Sequence, residues 1–386
     1  MKKEHEYGVL NYKYNHTNES YYYNYLQSPF CDWLVSFFPR FLAPNLITFS
    51  GFLLNIYALV SMFYLYGNDN EGPVDNSFIW TMVWTWNIYN TLDNIDGKQA
   101  RRTGSGSPMG MLFDHGCDAT TAILCNLMMQ RICQFGNTSF GVLIMGLSLI
   151  PFYYINLEPF FTGKMVIPAW TGPEDASLYY TIICIYTGYM GAVDLWAGEV
   201  EYGFYNGRYV HLVACVVFSL EVLSVVGSTL LKLWGLRNDK RFIQNYSFVT
   251  FIAQCSFMLV LQAVWMAYVS VPGNEATFEK HLRLCQFAFG GQYLQATFRL
   301  LVANITNDKF MPYRRTHFLT WALMFVNAAS IYFNNGQALM DTQNMLIFIN
   351  VVTWLAVAHL TYFTLYEMKS LLKIKIFTIT PKAKST

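Results

Sequence analysis

Charge is scarce in this chain. Lysine, arginine, aspartate and glutamate make up 13% of the 386 residues, hydrophobic residues 54%, and the net charge is +1. An ordinary soluble surface carries more charge, so composition points to a polytopic membrane protein. No basic stripe interleaved with aromatics is present, which together with the near-neutral charge excludes a nucleic-acid partner. The eight cysteines lack the paired spacing of a metal site. Six of them lie in apolar stretches, as small buried hydrophobes do. The first twenty residues lack the apolar core of a cleavable signal, so the first span is expected to serve as the targeting signal. No internal repeat is visible, which disfavours an inverted-repeat transporter.

Long apolar stretches, by contrast, are abundant. A span needs about 20 mostly apolar residues. Ten stretches qualify: 45–66, 78–97, 108–132, 138–157, 177–197, 209–231, 247–272, 281–304, 315–335 and 344–367. The fold class read from this pattern is all-α, a polytopic helical bundle of about ten spans. With the N-terminus in the cytosol, twenty of the 25 lysines and arginines fall on the cytosolic side. Arg131, Arg208, Lys280 and Arg283 fall on the other, a positive-inside bias that places both termini in the cytosol. Before the first span, Tyr22, Tyr25, Phe30, Trp33, Leu34, Phe37 and Phe38 share one helix face. That face suits an interfacial amphipathic helix, or one packed on the cytosolic side of the bundle. The expected division is a cytosolic segment 1–44, catalytic helices 45–200, further spans 201–368 for scaffold, lipid access or dimerisation, and a basic tail 369–386.

Between the second and third spans the chain reads TLDNIDGKQARRTGSGSPMGMLFDHGCDA. Carboxylates inside a membrane helix cost about 3 kcal/mol each on insertion scales, so they need a compensating role. Asp93 and Asp96 are three apart and Asp114 and Asp118 four apart, so each pair shares a helix face. Facing each other, the pairs would surround one or two hard divalent cations. The linker 103–108 reads as a turn, and Gly97, Ala100 and Gly110 let helices or a ligand approach closely. Acidic residues in spans also mark ion or proton pathways, so a transporter is an outside alternative. It leaves Gly97, Ala100, Arg101 and Gly110 at their spacing without a role.

The spacing Asp93-x-x-Asp96-Gly97-x-x-Ala100-Arg101, then Gly110-x-x-x-Asp114-x-x-x-Asp118, resembles the signature of the CDP-alcohol phosphatidyltransferases. The wording of 97–119, with NYKY at 11–14, SPF at 28–30 and APNLIT at 43–48, resembles the choline/ethanolamine phosphotransferase branch. The likeness thins after Ala119. Met111 stands where that branch usually carries Glu, and Leu157-Glu158-Pro159-Phe160 where it has Trp-Glu-Glu-Tyr.

The resemblance implies transfer of phosphoethanolamine or phosphocholine from CDP-ethanolamine or CDP-choline to diacylglycerol in the bilayer. The products would be phosphatidylethanolamine or phosphatidylcholine, plus CMP. The shorter members that move phosphatidyl from CDP-diacylglycerol to a small alcohol are the alternative. Asp93, Asp96 and Asp114 become candidate ligands for Mg2+ or Mn2+, with Asp118 a shared ligand or the general base. His115 competes for the base role, since histidine is the side chain most often used as a general base. Arg101 is the candidate phosphate clamp. Lys98 and Arg102 either assist it or mark the membrane boundary. Asn45 lies near the nucleotide or caps a helix, and Glu158 attracts the head-group ammonium or is a solvated loop carboxylate. Choline and ethanolamine both stay open, because aromatic residues at 18% offer too many cage candidates. Lys382 and Lys384 near the C-terminus resemble an endoplasmic-reticulum retrieval signal, or continue the positive-inside charge. A homodimer is a further expectation.

Overall fold

The computed structural model describes residues 3–203, 205–236, 247–334 and 336–379, apart from the side chains of 4 and 275–278. Arg237, Lys240, Arg241, Lys382 and Lys384 lie outside the described residues. The elements run α1 (Lys3–Asn11), β1 (His16–Asn18), a π-helical turn (Tyr23–Gln27), α2 (Ser28–Val35), α3 (Pro44–Tyr66) and α4 (Asn76–Thr103). Then come α5 (Pro108–Ile132), α6 (Phe140–Thr162), β2 (Met165–Ile167), α7 (Pro173–Met190), α8 (Ala192–Trp196), β3 (Glu199–Tyr202) and β4 (Tyr205–Arg208). The chain closes with α9 (Tyr209–Gly235), α10 (Phe248–Val269), α11 (Glu275–Thr306), α12 (Arg315–Phe333) and α13 (Thr342–Leu372). Helix makes up 76% of the structure, so the fold is all-α.

Ten long helices cover the ten expected spans, and their ends follow local chemistry. Pro44, Pro108 and Pro173 open α3, α5 and α7, where a missing N–H is harmless. Ser107 caps α5 by accepting from Gly110 N at 3.1 Å. The helix α4 runs six residues past the expected end at 97, because KQARRT continues the helix until Gly104 turns left-handed at φ 65°. Conversely α7 stops at Met190 rather than 197: Gly191 at φ 84° breaks it, and α8 follows as a separate turn.

Five helices, α3, α6, α9, α10 and α13, are long and apolar enough by composition to cross a membrane. They divide by position. The apolar stretch of α6 is 72% buried within the protein and that of α9 17%. So α6 is core, while α9 presents Val216, Val217, Leu220, Leu223 and Leu231 outward, a surface water would not tolerate. Of the remaining long helices, α4 and α5 carry the aspartates.

At the far end of the bundle, three of the arginines that the charge count separated grip the loop 67–75. Arg131 donates to the carbonyls of Gly72 (3.2 Å) and Pro73 (2.6 Å), Arg283 to Asn70 and Arg208 to Glu71. At the opposite end the short helix α2 lies against α4. Cys31 and Val35 pack with Ile47 and Ile95, and Leu34 and Phe38 lean on the same cluster. Tyr25, Phe30, Trp33 and Phe37 stay exposed. The expected aromatic face is thus split between an inward seam and an outward stripe. The strand β1 pairs in parallel with β2, bringing the N-terminal segment onto the end of α6. The sequence reading did not anticipate this pairing. Of the eight cysteines, seven are buried, and none is disulfide-bonded.

Candidate active site

The hairpin of α4 and α5 turns at 104–107 and brings the two aspartate pairs face to face. Carboxylate oxygens of Asp93, Asp114 and Asp118 all lie within 4.8 Å of one another. Oδ1 of Asp93 and Oδ1 of Asp114 are buried with no hydrogen-bond partner. Buried acceptors are nearly always satisfied, so two orphans aimed at one point mark a place for a cation. Three oxygen-donor side chains suit a hard divalent ion, and the residues therefore fit the metal that the signature implies.

Asp96 is not in that triad. It is 6% exposed, its Oδ2 accepts from Thr48 on α3, and it interacts electrostatically with Asp118. Tyr89, one turn before Asp93 on α4, donates to Oδ1 of Asp118 at 2.6 Å. Three helices therefore orient the four carboxylates.

The basic residues of the signature divide by task. Arg101 is exposed and has no carboxylate partner among the described residues. Its Nη1 lies 3.7 Å from where a Cβ on Gly97 would stand, so the guanidinium folds back along the helix toward Gly97. Lys98 is buried and committed to α2, with Asp32 and the Ser28 hydroxyl each at 2.8 Å. Arg102 donates to the carbonyls of Val35 (2.6 Å) and Phe38 (2.7 Å), tying down the end of α2. Ala100 supplies a carbonyl to Ser105 N at 3.0 Å in the helix cap.

On α3, the cap position is Ala43 rather than Asn45. The Oδ1 of Asn45 lies 3.4 Å from where a Cβ on Gly110 would stand, so this amide reaches the first turn of α5.

His115 is held on both nitrogens. Asn156 donates its amide to Phe152 O at 2.9 Å, which turns its Oδ1 toward His115 Nδ1 at 3.1 Å. That arrangement puts the ring proton on Nδ1 and leaves Nε2 at 3.4 Å from the Tyr14 hydroxyl, which also donates to Met165 Sδ at 3.6 Å. A cavity lined in part by Tyr12, Tyr14, Met111, His115 and Asn156 opens beside the ring. Glu158 is buried, and Lys232 on α9 donates to both its oxygens at 2.9 Å. It is neither a solvated loop carboxylate nor a free one.

Four residues around the carboxylates had no role in the sequence reading. Tyr14 and Thr48 sit inside the motif wording, but nothing in their local pattern names a partner. Tyr89 is detectable as a polar residue at i−4 from Asp93 on the carboxylate face. Asn156 leaves no local signal, because its contact crosses between α5 and α6. Beyond these, Glu174 at the start of α7 accepts from Asn18 at 2.7 Å, and its Oε2 is buried without a partner. Burial pushes this carboxyl up from 4.5 to about 7.

Comparison with known proteins meets the same segment. The family model of CDP-alcohol phosphatidyltransferases matches residues 41–216, from the start of α3 into α9. These residues are a CDP-alcohol phosphatidyltransferase domain. Its likeness extends beyond the matched segment. An uncharacterized CDP-alcohol phosphatidyltransferase class-I family protein of Dictyostelium discoideum is 28% identical over 97% of this chain and 94% of its own length. Ethanolaminephosphotransferase 1 of Homo sapiens is 26% identical over 92% of this chain and 88% of its own. Choline/ethanolaminephosphotransferase 1 of Arabidopsis thaliana is 31% identical, over 55% of this chain and 52% of its own. The triad Asp93, Asp114 and Asp118 and the free Arg101 lie inside the phosphatidyltransferase domain.

Proposed function

We propose that this protein transfers phosphoethanolamine or phosphocholine from the CDP-alcohol to diacylglycerol, yielding the phospholipid and CMP. The observation that carries the reading is the carboxylate triad with two orphaned oxygens, on a hairpin whose α4 also carries Arg101, without a carboxylate partner among the described residues. The names of the human and plant relatives support the substrate class.

Asp93, Asp96, Asp114 and Asp118 would hold Mg2+ or Mn2+, which when bound neutralises diphosphate oxygens that bare carboxylates would repel. Arg101 grips phosphate oxygens in pairs. Asn45 and Gly110, close together where α3 meets the first turn of α5, frame the nucleotide, and the guanidinium of Arg101 folds back over Gly97. The lipid hydroxyl oxygen attacks the phosphorus that carries the head group. The bond from that phosphorus to the CMP oxygen breaks, and the hydroxyl proton passes to Asp118. Asp118 is favoured over His115 because its carboxylate belongs to the triad and the imidazole does not. His115 and Asn156 then position the wall of the adjoining cavity. With Glu158 neutralised by Lys232, its part is to anchor α9 to the site rather than to receive an ammonium.

All ten long helices cross the bilayer in this reading, with both termini and the aspartates on the cytosolic side of an endomembrane such as the endoplasmic reticulum. The positive-inside distribution supports that orientation, and a soluble CDP-alcohol meets the site from the cytosol. The exposed stripe Tyr25, Phe30, Trp33 and Phe37 rests at the membrane surface. The outer face of α9 meets lipid or a second copy in a homodimer.

The deciding experiment incubates membranes containing the protein with labelled CDP-ethanolamine or CDP-choline, diacylglycerol and magnesium. Release of CMP with formation of labelled phospholipid is expected. No labelled lipid from either donor would refute the reading.

A further inference from the structure

Helices α11 and α12 border a second, open pocket of about 460 Å³, lined by Gln295, Tyr313, Arg314, Arg315 and Thr316. That volume is far larger than a water needs and falls within the range of roughly 300–1,000 Å³ typical of ligand pockets. No acidic residue among the described residues lines it. Its walls are built rather than incidental. Gln295 is 7% exposed, and its Oε1 accepts from the Thr316 hydroxyl at 2.7 Å. The amide N–H groups of Gln295 make no hydrogen bond among the described residues and remain as donors. His317 accepts from Arg314 N at 3.1 Å and contacts the Gln292 carbonyl at 3.3 Å, which pins the start of α12 to α11.

One turn beyond Gln295, Arg299 interacts electrostatically with Arg314, and its Nε is buried without a partner. None of Arg299, Arg314 and Arg315 has an ion pair among the described residues. Asp308, which acts on Arg299 from a distance, is itself paired with His5 at 3.4 Å. Three cations gathered at the edge of a low-dielectric bundle repel one another and call for a counter-charge. The planar forks of arginine match tetrahedral oxyanions best.

We propose that this cavity binds a phosphate-bearing anion. Its lining shares no residue with the carboxylate cluster. Two sources offer the same chemistry, the headgroup of an anionic phospholipid in the surrounding leaflet and a soluble phosphate.

The full-length protein in phosphatidylcholine nanodiscs, with a small fraction of phosphatidic acid, tests the site by measuring retained lipid. Wild type should enrich phosphatidic acid. R314Q/R315Q should weaken that binding by about tenfold or more, as expected for lost charge-assisted hydrogen bonds. R314K/R315K should restore part of it, since the charge remains and the fork is gone. Displacement of the lipid by inorganic phosphate would assign the site to a soluble anion, and resistance would assign it to the headgroup. Thermal unfolding verifies that each variant is folded, and R315Q alone carries the test if the double variant is not. Equal retention by wild type and the folded glutamine variant would overturn the proposal. So would an equal loss in K369Q, which removes a charge elsewhere on the chain.

Discussion

Tyr89 on α4 donates its hydroxyl to Oδ1 of Asp118 on α5 at 2.6 Å. The bond crosses the hairpin beside the carboxylate triad and holds one oxygen of Asp118, leaving the other to face the site. Tyr89→Phe should lower kcat about tenfold, the worth of one hydrogen bond to a charged group, with KM for the donor nearly unchanged. In a double-mutant cycle, Tyr89→Phe should add little to the loss already present in Asp118→Asn. Additive losses would separate the two residues.

Metal dependence follows from the orphaned oxygens. Asp93→Asn should reduce turnover by roughly a hundredfold or more, because several kcal/mol of charge stabilisation depend on the bound cation. Membrane insertion and helix content should stay intact. Treatment with EDTA should abolish activity and added Mg2+ or Mn2+ restore it. Full activity in EDTA would remove the metal from the mechanism.

Asp118 and His115 should separate kinetically. Asp118→Asn should lose roughly 100- to 10,000-fold in kcat, the range for a positioned general base, with donor binding measured independently and little changed. His115→Gln should lose less. If His115→Gln is nearly dead and Asp118→Asn is impaired mainly in metal or donor affinity, the base is His115.

Glu174 gives the protein a pH signature. Its carboxyl is raised from 4.5 to about 7 by burial, so between those values the folded state holds a proton that the unfolded state has released. Stability from this group is therefore present below pH 4.5 and declines as pH rises through about 7. Glu174→Gln removes the titration and keeps an acceptor for Asn18. Wild type and variant should unfold at similar temperatures near pH 5, and the variant should be the more stable near pH 8. A temperature difference independent of pH would contradict this.

The orientation is tested by single cysteines placed across Thr103–Pro108 and probed with an impermeant thiol reagent in sealed microsomes. Labelling without detergent is expected. Labelling that requires permeabilisation would reverse the topology.

The sequence by itself determined the helices and the reaction class. Long apolar stretches declare themselves locally, and all ten long helices stand where those stretches lie. The aspartates at 93, 96, 114 and 118 carry their meaning in spacing, which a regular helix converts directly into a shared face. Where expectations missed, the cause was also local: a helix-forming KQARRT carried α4 on to Gly104, and Gly191 cut α7 short. The tertiary structure alone decided which polar groups meet. Lys98 turns to Asp32, Glu158 to Lys232, and His115 to Asn156 and Tyr14, each across a gap in sequence that no periodicity spans. In a weakly solvated interior most buried polar atoms find a partner, and packing chooses among them. That choice left Arg101 without a carboxylate partner among the described residues and one oxygen each of Asp93 and Asp114 unpaired. Those unsatisfied groups are the ones to which the proposed chemistry is assigned.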